Sequence, residues 1–252
     1  MRLTTIGTGT ISLTPGRACA GHLIEAGGAR VLLDCGSGVV HRMSEHAVDW
    51  WSITHVALTH FHADHIGDLT TLIFAWKWGR YPEVRSAVEI IGPPGTAALV
   101  TNLATAFGEW VTDPGFPLTV RELEPDIELE LVLGVKLTAR QVPHSPESVA
   151  YSVEHQGERI VYTGDTGYDE TLGLWAAGAS VLLCECSLPS SMAVATHLTP
   201  EQCGDLAAIA RPRMLALTHL YPPVEQIDIR AIVGARFTGD IAIAADGWSI
   251  DL

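Results

Sequence analysis

Short apolar runs rich in Val, Ile and Leu alternate with turns of Gly, Pro and Asp from one end of the chain to the other. Run length and period predict strands at residues 3–7, 22–26, 30–34, 55–59, 88–92, 118–122, 135–142, 149–155, 159–163, 180–185, 213–218 and 241–244. Residues 152–162 read as a hairpin turning at Gln156-Gly157. Helical spacing appears at 38–47, 65–76, 95–107, 169–177, 200–210 and 224–233, with Thr199 as N-cap and Pro200 in the first turn of its helix. Hairpin-rich strands in each half, interleaved with helices, predict an α/β fold of two sheets packed face to face with helices outside. No linker-like break in composition and no fixed-period repeat interrupts the chain, so one domain over 1–252 is expected.

The polar signals fall where the apolar runs stop. The run Ile53–Leu58 leads into Thr59-His60-Phe61-His62-Ala63-Asp64-His65, which places three imidazoles and a carboxylate on a loop after a buried strand. A solvated polar turn is the bland alternative; a metal site explains the residue types better. Three further strands end on a His or Asp: Gln141-Val142-Pro143-His144, Gly164-Asp165-Thr166-Gly167 and Leu217-Thr218-His219. Alone, His144 or His219 reads as an ordinary histidine and Asp165 as a turn residue. Gathered at one sheet edge with the first cluster, they give five His and two Asp. That inventory serves two divalent ions, since imidazole suits zinc and a carboxylate can bridge. Manganese or iron is compatible with the same donors. His22, His41, His46, His55 and His155 lack this context and read as ordinary histidines.

Composition narrows the partners. The 252 residues are 47% hydrophobic and 17% charged, a compact globular balance. A net charge of -14, with 15 scattered Lys and Arg, disfavours long nucleic acid but leaves room for a small anionic substrate beside bound metals. No apolar run approaches the roughly 18 residues of a membrane span. The N-terminus enters a strand pattern at once, without a secretory signal, and the five cysteines show no paired knuckle. A cytoplasmic location is therefore expected. Cys184 and Cys186 read as small buried strand residues rather than ligands.

With these residues in view, the chain resembles the metallo-β-lactamase fold superfamily, and within it the ribonuclease Z-like phosphodiesterase branch. Ile6-Gly7-Thr8-Gly9-Thr10, Asp34-Cys35-Gly36-Ser37-Gly38, Ile91-Gly92-Pro93-Pro94-Gly95 and Thr196-His197-Leu198-Thr199 carry the resemblance to that branch beside the metal motif. The resemblance implies an αββα sandwich with the site along one edge of the two sheets. It implies one metal on His60, His62 and His144, a second on Asp64, His65 and His219, and Asp165 bridging them. Asp34 then orients a ligand imidazole, although a plain turn residue fits that position equally well.

A metal pair of this kind makes a bridging hydroxide available near neutral pH. Asp64 is the candidate to accept the nucleophile's proton. His197, which matches the family's non-ligand histidine, is the candidate acid for the leaving oxygen, and Glu185 the group that orients it. Phe74–Tyr81 could wall the pocket, with Trp76 and Trp78 stacking on a base and Lys77 and Arg80 meeting phosphate, or could simply pack the core. Trp110 is open in the same way. In tRNA-processing relatives a long arm is inserted between the single-His motif and the bridging Asp; between His144 and Asp165 there is room only for a tight hairpin. The expectation is a hydrolase of small phosphodiesters. A tRNA 3′-end endonuclease and a lactone or carboxyl-ester hydrolase are the alternatives, and a homodimer is compatible by analogy.

Overall fold

The computed structural model describes all 252 residues. The first half of the chain supplies β1 (Arg2–Gly7), β2 (Gly21–Ala26), β3 (Ala29–Leu33), α1 (Val39–Glu45), β4 (His55–Ala57), α2 (Ala63–Ile66), α3 (Leu69–Trp78), β5 (Val88–Gly92), α4 (Thr96–Phe107) and β6 (Leu118–Glu122). The second half supplies β7 (Glu128–Val132), β8 (Val135–Gln141), β9 (Val149–His155), β10 (Glu158–Tyr162), α5 (Glu170–Trp175), β11 (Val181–Glu185), α6 (Pro200–Ala210), β12 (Met214–Thr218), α7 (Ile229–Gly234), β13 (Asp240–Ile243) and β14 (Ser249–Asp251). They form two seven-stranded sheets, ordered β14-β1-β2-β3-β4-β5-β6 and β13-β12-β11-β10-β9-β8-β7. Both are mixed: hairpins run through β1–β3 and β7–β10, while β3–β6 and β10–β13 are parallel.

Strand alternation explains the layering. One face of each sheet contributes Leu3, Ile24, Val31, Leu33, Val153, Ile160, Tyr162 and Leu183 to a core between the sheets. The opposite face of the first sheet packs Ile6, Leu32, Val56 and Ile90 on α1, α3 and α4. The outer face of the second packs Val161, Leu182, Leu215 and Leu217 on α6 and α7. Two faces per sheet, both buried, are what the continuous Val/Ile/Leu runs require, and the expected sandwich is present. The turn at Gln156-Gly157 has positive φ at both residues, 52° and 83°, as a two-residue hairpin demands. Thr199 and Gln202 form a reciprocal capping box at the start of α6.

Four elements differ from the reading of the sequence. The expected helix 65–76 is two helices, because the Asp68 carboxylate leaves the helical run to accept the Gly38 and Val40 N–H groups at 3.0 Å. The expected helix 224–233 is a short turn at Val224–Gln226 followed by α7, which restarts where Asp228 caps the Ala231 N–H at 3.0 Å. The edge strands β7 and β14 were not expected at all.

Parallel pairing sends the carboxyl ends of β3, β4, β10, β11 and β12 to one edge of the sandwich. Asp34, the 58–65 loop, Asp165, Glu185 and His219 follow those ends directly. This is where open α/β sheets place their ligands.

Candidate metal centre

The loop from β4 turns into α2 against the loop that follows β3. The Cys35 N–H donates to the His65 carbonyl at 2.7 Å, and a Cβ on Gly36 would lie 2.0 Å from the Asp64 carbonyl, so only glycine permits this approach. The contact sets the donor side chains of α2 toward the sheet edge.

Seven side chains meet there in two groups that share the Asp165 carboxylate, and a third grouping sets His197 beside Asp165 and His219. In the first, His62 Nδ1 lies 3.0 Å from His60 Nε2 and 3.1 Å from His144 Nε2; Asp165 Oδ2 is 3.9 Å from both His60 and His144. In the second, His219 Nε2 lies 3.4 Å from His65 Nε2 and 3.4 Å from Asp64 Oδ2. Asp165 Oδ1 is 3.3 Å from each of those imidazoles. Thus one oxygen of Asp165 faces each group.

These donors fit divalent ions. Ligand atoms about 2.0–2.1 Å from a tetrahedral ion stand about 3.3 Å apart, close to most of the separations present. The three imidazole nitrogens His60 Nε2, His62 Nδ1 and His144 Nε2 cannot all be satisfied by shared protons. Asp165 Oδ1 is also buried without a hydrogen-bond partner. An ion in each group answers both defects.

Outer partners aim the rings. His65 Nδ1 meets Asp34 Oδ2 at 2.7 Å, and Asp34 also accepts from Thr59 N (2.8 Å), Thr59 Oγ1 and Tyr162 OH (3.0 Å). His219 Nδ1 lies 3.0 Å from Ser187 Oγ, His144 Nδ1 donates to the Thr196 carbonyl at 2.8 Å, and Asp64 Oδ2 accepts the Ile11 N–H at 3.1 Å. Asp34 and His219 both hold left-handed backbone, φ 58° and 56°, a local cost of about 1–2 kcal/mol that such sites retain.

Electrostatics follow from burial against neighbours. Burial, reinforced by His65, pulls His60 down to about 2. Burial also opposes charge on His65, yet the Asp165 and Asp34 carboxylates outweigh it and hold that imidazole well above its usual range. Asp64 is raised by burial, but the His219 and His65 imidazoles prevail and bring it to about 2. His197 sits at the cleft wall with Nδ1 3.1 Å from Glu185 Oε2 and 4.0 Å from Asp165 Oδ2. Burial lowers it, and the Glu185 carboxylate more than compensates, to about 8.

All predicted donors, with His197 and Glu185, therefore converge. The aromatic stretch does not. Trp76 is buried in the first sheet's outer core and donates to the Trp50 carbonyl at 2.9 Å; Lys77 Nζ donates to the Pro114 carbonyl at 2.9 Å. Arg80 lies over Trp50 and Trp51, and Trp78 shares a hollow with Tyr81 and Phe116. Trp50 and Trp51 precede β4 while the metal loop follows it, so this group sits at the strand's far end and does not wall the site. Trp110 packs on Phe74 there. His22 is buried edge-on to the Tyr162 ring and held down to about 3, by burial first: a neutral core histidine.

Sequence reasoning missed Ser187, Tyr162, Thr59, Tyr221 and the Ile11 amide. Ser187 stood two residues beyond Glu185 on the same strand exit, a spacing that points both side chains to one face. The Tyr221 ring faces His197 and His219 with centroids 6.2 and 6.0 Å away.

Comparison with known proteins agrees with this arrangement. Residues 29–220 match the family model described as the beta-lactamase superfamily domain. A protein named ribonuclease Z from Mycolicibacterium gilvum is 32% identical over 274 residues, spanning 98% of this chain and 94% of that one. The fold is similar to that of the metallo-beta-lactamase fold protein YhfI from Bacillus subtilis (TM-score 0.84, 24% identity, 99% and 98% covered). It is also similar to human short-form tRNase Z (TM-score 0.80, 22% identity, 100% and 99% covered). The fold implies a dinuclear site with His and Asp donors, which is the set found here. The chain belongs to the metallo-β-lactamase superfamily, as a hydrolase of its ribonuclease Z-like branch.

Proposed function

We propose that this single 252-residue unit hydrolyses small phosphodiesters. His60, His62 and His144 would hold one divalent ion and Asp64, His65 and His219 the other, with Asp165 between them. Zinc suits the five imidazoles, and manganese or iron can use the same set. The observation that carries the reading is the His197–Glu185 pair, 3.1 Å apart, with His197 Nδ1 4.0 Å from Oδ2 of the shared Asp165. A phosphodiester expels an alkoxide that needs a proton, and this is a held imidazole beside the reacting edge.

When bound, the ions supply Lewis acidity and bring the pKa of water toward about 7. Asp64, ionised and fixed by the Ile11 N–H, accepts the proton of the attacking water. His197 has Nδ1 turned to Glu185, which leaves Nε2 to protonate the departing oxygen; Glu185 steadies the imidazolium beforehand. Small substrates are favoured because the whole path from His144 to Asp165 is the β9–β10 hairpin and its flanking loops, with no arm to grip a large RNA. Five buried free cysteines suit a cytoplasmic setting, and no helix is long and apolar enough to cross a membrane.

A second reading, cleavage of tRNA 3′ ends, has in its favour the name of the 32%-identical relative. The test is hydrolysis of bis(p-nitrophenyl) phosphate, a lactone, a p-nitrophenyl carboxyl ester and a precursor tRNA by zinc- or manganese-loaded protein. Metal-dependent cleavage of the small diester is expected, with His197→Ala losing far more on a diester that expels a poor, alkoxide leaving group than on the p-nitrophenyl one. Preference for the lactone or ester with His197 dispensable would sink the reading, and efficient tRNA cleavage would install the second.

A further inference from the structure

We infer that the cleft selects phosphodiesters with a single negative charge and an apolar or aromatic substituent, seated on a rim of Ile11, Val194 and Tyr221. The inference rests on the phosphodiesterase reading and narrows it to a charge state and a polarity.

Charge is the first ground. A substrate with phosphates beyond the scissile one needs cations beyond the metal pair. The chain has 15 Lys and Arg. Eleven are in ion pairs with Asp or Glu, and Lys77, Arg85 and Arg230 donate to backbone carbonyls. Arg211 alone is left, and it follows the last residue of α6, whose first turn is the end beside His197. Eleven residues of helix put it about 16 Å from that end. Two cations lie on segments that feed the cleft, and both are neutralised: Arg17 by Glu225 at 2.8 Å and Arg140 by Asp126 at 3.2 Å. The hollow beside His144 carries Asp126 and Asp169 against Arg140. A second phosphate would meet carboxylates there.

The second ground is the rim. Ile11 is 54% exposed and Val194 46%. Each segment that bears them is tied to a different donor residue. The Ile11 N–H bonds Asp64, the Thr196 carbonyl two residues after Val194 bonds His144 Nδ1, and Tyr221 follows His219 and faces its ring. Scattered exposed apolar residues need no explanation, but apolar side chains on three segments that each contact a different donor residue mark where an apolar group is received.

The test uses p-nitrophenyl diesters, so that the leaving group is constant and rates are divided by the uncatalysed ones. Phenyl p-nitrophenyl phosphate should exceed methyl p-nitrophenyl phosphate in kcat/KM by about tenfold. The p-nitrophenyl ester of thymidine 5′-phosphate should lose at least about tenfold when a 3′-phosphate is added. Ile11→Asn should narrow the phenyl-to-methyl ratio. Val194→Lys, a surface change, should raise the 3′-phosphorylated substrate against its parent about fivefold or more. Equal rates with and without the extra phosphate, and no phenyl preference, overturn the inference while leaving the phosphodiesterase intact. Failure to cleave any diester, beside turnover of a carboxyl ester, removes the phosphodiesterase reading and this inference with it.

Discussion

The two halves of the metal centre are built from similar donors but held differently. Around His60, His62 and His144 the site opens at one donor: His62 is exposed, the His60 and His144 rings are buried, and the outer contacts of those two rings are neutral. Around Asp64, His65 and His219 every donor is buried, and a carboxylate, Asp34, stands directly behind His65. An ion in low-dielectric surroundings gains more from a charged outer partner than from a carbonyl. The buried half should therefore bind its ion more tightly, and the open half should be the one that exchanges metal and meets substrate first.

The largest effect should come from removing what the halves share. Asp165→Ala deletes the oxygens that face both groups and should abolish turnover, by about 10⁴-fold or more, with metal content per chain falling at both halves when measured after dialysis. His197→Ala tests the opposite limb. The His197 Nδ1 is turned to Glu185 at 3.1 Å and stands 4.0 Å from Asp165, so both ions should stay while turnover on a poor leaving group drops about 10²–10⁴-fold. That rate should also report the acid's proton. Glu185 holds the His197 imidazole above its usual range, so wild-type kcat/KM should decline on the alkaline side, and His197→Ala should lack that limb. Metal loss from His197→Ala would erase the division between donor and acid.

Asp34→Asn separates the halves. It keeps a hydrogen-bond acceptor for His65 but removes the charge, and should weaken metal binding at the buried half by about 10–100-fold with the open half little changed. Equal weakening at both would mean that the outer shell is not what distinguishes them.

Much of this was legible before any fold was known. Strand exits carry chemistry, so His144, Asp165 and His219 could be picked out because each terminates an apolar run, and the His60–His65 loop announces itself in six positions. What the chain did not reveal lies in tertiary contacts. The Ile11 contribution is a backbone N–H, which no side-chain motif marks. Asp68 breaks a helix because it is drawn to the amides of α1, thirty residues back in sequence. β14 is three residues long and exists only through its register with β1. β7 is different: Glu128-Leu129-Glu130-Leu131 alternates plainly and could have been read. The aromatic run 74–81 follows the metal helix, but α3 carries it away from the site, a direction that proximity in sequence conceals.

The subtlest difference between the halves is in protons. Without metal, His60 is held down to about 2 and carries none near neutrality, whereas Asp165 and Asp34 keep His65 protonated. Loading the buried half must therefore expel the His65 proton, and its affinity should rise with pH until His65 is neutral. The metal-free protein runs the other way. A raised imidazole contributes stability that is complete below its unfolded value near 6.5 and is lost as pH climbs through its folded value. The rise in melting temperature given by zinc should thus widen from pH 6 to pH 9. In Asp34→Asn one of the two carboxylates that hold the proton is gone, so His65 is closer to neutral at the start. Calorimetry at pH 7 in buffers of different ionisation enthalpy should then find fewer protons released per zinc bound than in the wild type. An unchanged count would place the displaced proton on another residue and leave Asp34 only a geometric part in the buried half.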